Sequence, residues 1–327
     1  ETTEATEETE VTETTEVTEK TETTEENEAT EETETTEETE ETESTEETES
    51  TEETESTETS EAAEFPTGGK LPMEFIEVPE SEIDASDIYE VTEEMKQSAV
   101  YNTDWDKYSN NYFYNQMSTS AKTFWDALDA MCRGYLTTTK SVSYDSTYQA
   151  YIMDYVTSSS LTKSEVREVY YIFRYSNPQY YFLNSSCLLG SYGNAYLIAP
   201  VMYSKFADGA ARATATAAMQ SQMNSWQSQI NACANDEQKV KLIHDLIIQK
   251  VEYNDAIYED DFDEDTQYSQ SAYSVFCTDL TVCAGYSQAF EMMCNSSGID
   301  ALAVTSSDHE WNKVRVNDSW YNVDCTW

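Results

Sequence analysis

Three residues near the end of the sequence carry the side chains that nucleophilic catalysis by a cysteine requires: a thiol, an imidazole and a carboxylate. Cys283 begins the stretch Cys-Ala-Gly-Tyr-Ser-Gln-Ala-Phe, His309 is the last histidine, and Asp324 lies close to the final residue. A thiol attacks a carbonyl carbon, an imidazole takes up and returns the proton, and a carboxylate holds the imidazole in one tautomer. These residues, met in this order, predict nucleophilic catalysis by Cys283.

The residues after Cys283 have the spacing of a helix. Apolar side chains recur at core positions, namely Tyr286, Ala289, Phe290 and Met293. Cys283 then lies in the first turn, where free amide N–H groups and the helix dipole favour a thiolate. We expect the pKa of this thiol to fall from about 8.5 toward neutrality or below, and the same amides to form part of an oxyanion hole.

The segment from residue 309 to the end predicts a β-hairpin. Asn317 and Asp318 suit a two-residue turn with positive φ angles. Such a turn pairs Val316 with Ser319 and sets the register of both strands.

This register brings the histidine and the aspartate together. It pairs Trp311 with Asp324, and because side chains alternate along a strand, His309, Asp324 and Thr326 lie on the same face as Trp311. His309 is then the diagonal neighbour of Asp324, at a backbone separation of about 7–8 Å that one hydrogen bond can bridge. A slip of one residue would put them on opposite faces.

Helix caps upstream predict the elements around this hairpin. Ser118 is suited to start a helix that stops near Gly134, and Thr162 with Glu165 forms a capping box. Asn235 is suited to start the helix that leads toward the hairpin region. The first two of these helices, at Ser118 and Thr162, are interpreted as scaffold.

Charge divides the chain into two parts. Residues 1–64 hold 29 glutamates and one lysine, which is −28 of the net charge of −48. We expect a disordered acidic stalk there, because so few apolar side chains cannot offset a backbone ordering cost of about 1–2 kcal/mol per residue. Residues 65–327 keep 36 acids against 16 bases. Nucleic acid is excluded as a partner, because phosphate binding needs a basic stripe.

The sequence also predicts where the protein acts. No apolar run approaches the roughly 20 residues of a membrane helix, so we expect no membrane span. The chain begins at a glutamate, which is compatible with removal of an export signal or lipid-anchor segment. With the stalk as a tether, we expect a secreted or cell-surface bacterial protein, with a lipid or cell-wall anchor as a candidate attachment.

The seven cysteines leave the disulfide pattern open. Their number is odd, so in an exported protein Cys283 is the natural unpaired thiol. The other six are either buried apolar side chains or members of up to three bridges. Zinc-like spacing is absent, and the acidic run at 259–265 lacks the spacing of a calcium loop. We therefore expect no metal and no cofactor.

Three motifs resemble the transglutaminase-like superfamily, in the version common in secreted bacterial proteins. They are Val-Cys-Ala-Gly-Tyr-Ser-Gln-Ala-Phe around Cys283, His-x-Trp-Asn-x-Val from His309, and Trp-Tyr-Asn-Val-Asp-x-Thr-Trp around Asp324. The resemblance implies an α+β, papain-like core with a helical N-terminal extension. It also implies that Cys283 is the nucleophile, His309 the general base and Asp324 its orienter. Trp311 would border the site and Tyr286 would pack behind the nucleophile, both supporting the substrate and the oxyanion.

The sequence departs from the family pattern at several points. Glu310 stands where the family often has a small residue, and a glycine common shortly before the cysteine is replaced within 279–282. Family members usually continue beyond the final Thr-Trp with further strands. We therefore expect this chain to be truncated at its C-terminus.

The expected function is that of an extracellular cysteine acyltransferase or hydrolase acting on glutamine carboxamides or peptide bonds of a protein or peptide substrate. A thioester would be resolved by an amine donor or by water, and the residues leave both open. The alternative is a surface-attached binding or structural protein that retains the fold. The expected domains are the stalk at 1–64, a mixed helical and hairpin region at 65–232, and a catalytic core at 233–327.

Overall fold

A computed structural model describes residues 68–89, 103–259 and 263–327. The acidic stalk predicted at residues 1–64 lies outside the described residues, as does part of the acidic run at 259–265.

The described residues form helices and strands over most of their length. The helices are α1 (Tyr112–Gln116), α2 (Thr119–Thr137), α3 (Lys163–Ser176), α4 (Ser204–Ala207), α5 (Gly209–Ile230), α6 (Asp236–Lys250), α7 (Glu264–Gln267), α8 (Ala272–Cys277) and α9 (Cys283–Ser296). The strands are β1 (Glu74–Val78), β2 (Tyr144–Asp145), β3 (Ala150–Ile152), β4 (Val156–Ser158), β5 (Leu183–Tyr192), β6 (Ala195–Met202), β7 (Glu252–Tyr253), β8 (Leu280–Thr281), β9 (Ala301–Thr305), β10 (Glu310–Val316) and β11 (Ser319–Val323).

The predicted caps start three of the helices. Ser118 accepts a hydrogen bond from the third backbone N–H of α2, Asn235 does the same for α6, and Thr162 with Glu165 forms a reciprocal capping box on α3. These side chains satisfy amide groups that a helix leaves unpaired at its start. The three predicted helix starts are confirmed.

The predicted end of α2 at Gly134 is wrong. The helix continues to Thr137, and Tyr135 and Leu136 in this last turn are buried in the core. Gly134 does not take the positive φ angle of a helix-ending glycine. Packing of an apolar turn therefore overrides the local stop signal.

The strands form a large sheet and a smaller one that carries the site. The large sheet has the order β1-β5-β6-β3-β2, with β4 also on β6 and β1 parallel to β5. The smaller sheet is antiparallel, in the order β11-β10-β9, and α9 packs against β9 and β10. A further parallel pair joins β7 to β8, just before α9. This mixture of helices with largely antiparallel sheets is the predicted α+β class.

One cluster of buried side chains runs from Trp105 to Cys325. It crosses the boundary predicted between residues 232 and 233, and the division into two domains at this boundary stays a prediction. All seven cysteines are free thiols in the structure. Among the described residues, no helix combines the length and the apolar character that crossing a membrane requires.

Candidate active site

Cys283 is the first residue of α9, as predicted. It follows Val282, which is extended and supplies no side-chain cap to the helix. The thiol is fully buried. The first turn of α9 therefore presents the thiol together with amide groups that no cap satisfies.

Two hydrogen bonds fasten α9 to β10, the strand that follows His309. The Ser287 hydroxyl donates to the carbonyl oxygen of Trp311 at 3.2 Å, and the Asn312 amide donates to the carbonyl oxygen of Ser287 at 3.1 Å. Ser287 lies one turn beyond Cys283. The helix of Cys283 and the strand that follows His309 are thus held in a fixed position relative to each other.

The predicted hairpin turn and register are confirmed. Asn317 and Asp318 have φ angles of 49° and 61°, and Val316 pairs with Ser319. The ladder continues to Asn312, opposite the last residue of β11. His309 and Asp324 lie just beyond the ends of β10 and β11, which brings them side by side.

His309 and Asp324 are joined by a hydrogen bond of 2.7 Å between Nε2 and Oδ2. The other carboxylate oxygen accepts hydrogen bonds from the Thr326 backbone N–H at 3.0 Å and from the Thr326 hydroxyl at 2.6 Å. The His309 Nδ1 atom is buried and has no hydrogen-bond partner among the described residues. With Asp324 ionised, Nε2 carries the proton and Nδ1 carries the free lone pair.

Residues on both sides of His309 contact the thiol. The Cys283 Sγ atom lies 3.9 Å from the carbonyl oxygen of Asp308. A backbone hydrogen bond from Glu310 favours the ionised form of the same thiol. The Cys283 thiol therefore lies against the segment 308–310 that carries the histidine.

Trp311 and Tyr286 reach the site through neighbouring rings. The Trp311 ring stacks on His309, with ring centroids 5.8 Å apart. The Tyr286 ring stacks behind Tyr253 at 6.3 Å, and its hydroxyl donates to the carbonyl oxygen of Val251. A role for either in supporting substrate or oxyanion stays a prediction.

Residues 68–71, here called the masking segment, cover the thiol and were missed by sequence reasoning. The Cys283 Sγ–H donates to the carbonyl oxygen of Gly68 at 3.2 Å. The Lys70 backbone N–H donates to the carbonyl oxygen of Asp308 at 3.0 Å. The sequence signal was two adjacent glycines after an acidic tract, which indicates a turn and gives no hint of a partner at residue 283.

Tyr253 is a second residue that sequence reasoning missed. It lies in β7, where it pairs with Thr281 two residues before the nucleophile. Its hydroxyl donates to the same Gly68 carbonyl oxygen that accepts from Cys283. The thiol and this hydroxyl thus donate to one carbonyl oxygen, which puts a hydroxyl donor beside the thiol.

The predicted low pKa of Cys283 is wrong for this arrangement. Burial raises the pKa of the Cys283 thiol to about 12, and the charge of the nearby Glu310 carboxyl adds to the rise. Hydrogen bonds from Glu310 N–H, the Tyr253 hydroxyl and Ala284 N–H oppose it. The helix-start amide acts in the predicted direction, but loss of water around the thiol outweighs it.

Glu310 is a buried carboxyl beside the nucleophile. It is 1% exposed, and burial raises its pKa to about 7, although the charges of Arg174 and Lys70 act against the rise. The nearby Glu291 is also fully buried, and burial raises its pKa as well. The site therefore contains acid groups that hold protons far more tightly than exposed carboxyls do.

Within the described ranges, no group of three or more His, Cys, Asp or Glu side chains is arranged to hold a metal ion. The chemistry available at the site is that of a thiol, an imidazole, carboxyls and a phenol.

The fold and the site together define an α+β protein with a thiol at a helix start, packed against a hairpin that carries a histidine and an aspartate. Residues 224–325 match the sequence model of the transglutaminase-like superfamily. Over these residues the chain is similar to that superfamily, as its motifs predict.

Solved structures to which part of this chain is similar include a TGase, at 13% identity and a TM-score of 0.31, over 53% of this chain and 51% of that chain. Another is the periplasmic domain of TgpA from Pseudomonas aeruginosa bound to ethylmercury, at 15% identity and a TM-score of 0.25, over 40% of this chain and 55% of that chain. The chain thus spans about half the length of these structures. No curated protein matches the sequence.

Proposed function

We propose that this protein is a cysteine acyltransferase or hydrolase that acts on glutamine carboxamides or peptide bonds of a protein or peptide substrate. The observation that carries the proposal is the hydrogen bond of 2.7 Å between His309 and Asp324, beside a thiol at the start of α9. It leaves the buried Nδ1 of His309 free to accept a proton. Similarity of residues 224–325 to the transglutaminase-like superfamily supports the same chemistry.

The proposed reaction passes through a thioester. His309 Nδ1 takes the proton of Cys283, and the thiolate attacks the carbonyl carbon of the substrate. The imidazolium, held by Asp324, then gives the proton to the leaving ammonia or amine. The Tyr253 hydroxyl is positioned to donate to the oxyanion, since it already donates to a carbonyl oxygen beside the thiol.

The second half of the reaction needs water or an amine. Attack by water gives deamidation or peptide hydrolysis, and attack by an amine gives a cross-link. The surplus of negative charge over residues 65–327 favours a cationic amine donor near the surface.

The proposed location is outside the cytoplasm, either secreted or at the bacterial cell surface. The Thr/Glu-rich stretch at 1–64 supports this, because a highly charged segment holds a folded domain away from its point of attachment. The location is tested by adding protease to intact cells that express the protein. Survival of the folded part in intact cells, with digestion after lysis, would contradict it.

The function is tested by following ammonia release from a glutamine peptide with and without an added primary amine. The full chain is assayed as it is and with Gly69→Val, since residues 68–71 cover the thiol. Cys283→Ala should abolish release, whereas Cys233→Ala, at a half-buried thiol between α5 and α6, should not. Peptide cleavage without ammonia would assign protease activity instead.

The competing proposal is a binding or structural protein that keeps the fold. It predicts no ammonia and no cleavage from either form of the chain. It also predicts that Cys283, when uncovered, reacts with a thiol reagent no faster than Cys233 does.

A further inference from the structure

Gln270 binds the backbone of the masking segment with both ends of its amide. Its Nε2 atom donates to the carbonyl oxygen of Gly69, and its Oε1 atom accepts from the Leu71 backbone N–H at 3.0 Å. Gln270 is itself buried, at 3% exposure. A buried side chain that pairs with two backbone groups of one segment binds the peptide backbone directly, as peptide-recognition sites do.

The space that the masking segment occupies, here called the channel, has room only for a glycine at position 69. Gly69 has a φ angle of 86°, and a Cβ atom there would lie 2.8 Å from the Tyr253 hydroxyl and 3.0 Å from a methyl group of Ile257. Gly68 has a φ angle of 119°. Side chains are excluded at Gly69 by contact and at both positions by backbone conformation.

The next residue, Lys70, is buried beside a backbone carbonyl group and an aromatic ring. Its ammonium group donates to the carbonyl oxygen of Ser306 at 2.6 Å and lies over the Tyr175 ring at 5.6 Å. Its charge also acts on the buried carboxyl of Glu310. Lys70 is only 7% exposed, which is unusual for a lysine without a specific environment.

We propose that the channel beside Cys283 is a binding site for a peptide backbone of the type Gly-Gly-Lys, and that this chain occupies it with its own residues 68–70. The occupied channel masks the nucleophile. The masking segment is displaceable, and an added peptide of the same type takes its place. The proposal rests on the proposed function, whose nucleophile it uses. It adds a class of ligand and a closed state, in which the masking segment covers Cys283.

The attachment of the segment explains how the closed state persists. Strand β1 begins at Glu74 and pairs in parallel with β5, so the masking segment is anchored a few residues downstream of the site. A short tether of this kind gives an effective concentration of about millimolar. Weak contacts then suffice to keep the channel occupied.

The test measures alkylation of Cys283 in the full chain by a small thiol reagent, with the modified cysteine located by mass spectrometry. Gly69→Val displaces the segment and should speed alkylation by about tenfold or more, because the thiol is then uncovered. The size follows from the hydrogen bond of the charged Lys70 ammonium group, which holds the segment in place and is broken on displacement. Lys70→Ala should also speed alkylation of Cys283, with less disturbance of the backbone. Cys233 in the same molecule serves as the reference thiol.

Gly193→Val is the matched control. Gly193 also has a positive φ angle, 59°, but nothing lies within 4 Å of an added Cβ atom. This variant should alkylate like the unaltered chain. If Gly69→Val fails to fold, as judged by its thermal transition, Lys70→Ala decides the outcome. Unchanged alkylation of Cys283 in a folded Lys70→Ala variant overturns the masking.

The binding site is tested with peptides. Acetyl-Gly-Gly-Lys-Leu-amide at about millimolar concentration should slow alkylation of Cys283 in the displaced variant, whereas acetyl-Gly-Val-Lys-Leu-amide should not. Equal protection by both peptides, or by neither, overturns the site. Alkylation does not require His309 or Asp324, so fast alkylation without ammonia release would reject the proposed function and leave this inference standing.

Discussion

The Nε2 atom of His309 lies 2.7 Å from the Oδ2 atom of Asp324. The second carboxylate oxygen accepts two hydrogen bonds from Thr326, so the carboxylate is held in place from both sides. An imidazole bound in this way keeps its proton on Nε2 and its lone pair on Nδ1. This tautomer is the one that a general base next to a thiol requires.

Replacing the carboxylate should remove that control. With Asp324→Asn in the uncovered Gly69→Val chain, we expect ammonia release to fall by about 10²- to 10⁴-fold, because an amide N–H facing Nε2 favours the wrong tautomer. The control is Asp318→Asn, at the exposed hairpin turn, where asparagine tolerates the positive φ angle. Equal rates for the two variants would show that Asp324 does not act through His309.

Gly285 should be indispensable to the position of α9. A Cβ atom there would lie 2.0 Å from the Thr281 hydroxyl oxygen and 2.6 Å from the carbonyl oxygen of Ser269. We expect Gly285→Ala to lower the free energy of unfolding by about 1–3 kcal/mol or more, because the helix start must move. Urea unfolding measures the loss, with Gly193→Ala as the control for backbone strain without contact, since its φ angle is 59° and nothing lies within 4 Å of an added Cβ atom. Similar values for both variants would contradict the tight packing at the helix start.

Glu310 should make stability depend on pH. Its pKa in the folded protein is about 7, above its ordinary value of 4.5. The folded state therefore holds the proton more tightly than the unfolded chain, and stability falls as the pH rises from about 4.5 to 7 and levels off above. The free energy of unfolding falls by about 3 kcal/mol over this whole range, at roughly 1.4 kcal/mol per pKa unit.

Unfolding by urea across this pH range measures the effect. Glu310→Gln should remove most of the decline that Glu310 causes, whereas Glu168→Gln, at an exposed site on α3, should keep the whole decline. The acidic stalk is the same in all three chains, so differences between them report on the substituted residue. A Glu310→Gln curve parallel to that of the unaltered chain would contradict the burial of an ionisable carboxyl.

Glu310 should also control the ionisation of the nucleophile. Its negative charge helps to raise the pKa of Cys283, after the larger effect of burial. We expect Glu310→Gln to shift the pH profile of Cys283 alkylation to lower pH, because the thiolate no longer faces a like charge. Glu168→Gln is again the control. A shift of the profile to higher pH, or no shift, would contradict the effect of the Glu310 charge on the Cys283 thiol.

The helix starts and the hairpin register could be predicted because local geometry decides them. A side-chain oxygen at Ser118 or Thr162 bonds amides only a few residues away. The hairpin turn sets the register, and strand alternation then carries it along the chain to His309. The end of α2 could not be predicted in this way, since burial of Tyr135 and Leu136 depends on partners elsewhere in the fold.

The sequence by itself determined the position of Cys283 at a helix start, the turn at Asn317 and the shared face of His309 and Asp324, because each depends on residues near in the chain or paired through one turn. Only the tertiary structure decided that Gly68 covers Cys283 from a distance of 215 residues along the sequence. It also decided the sign of the thiol's pKa shift. The helix start favours the thiolate locally, but the carbonyl and the buried carboxyl that remove water from it arrive only when the chain folds.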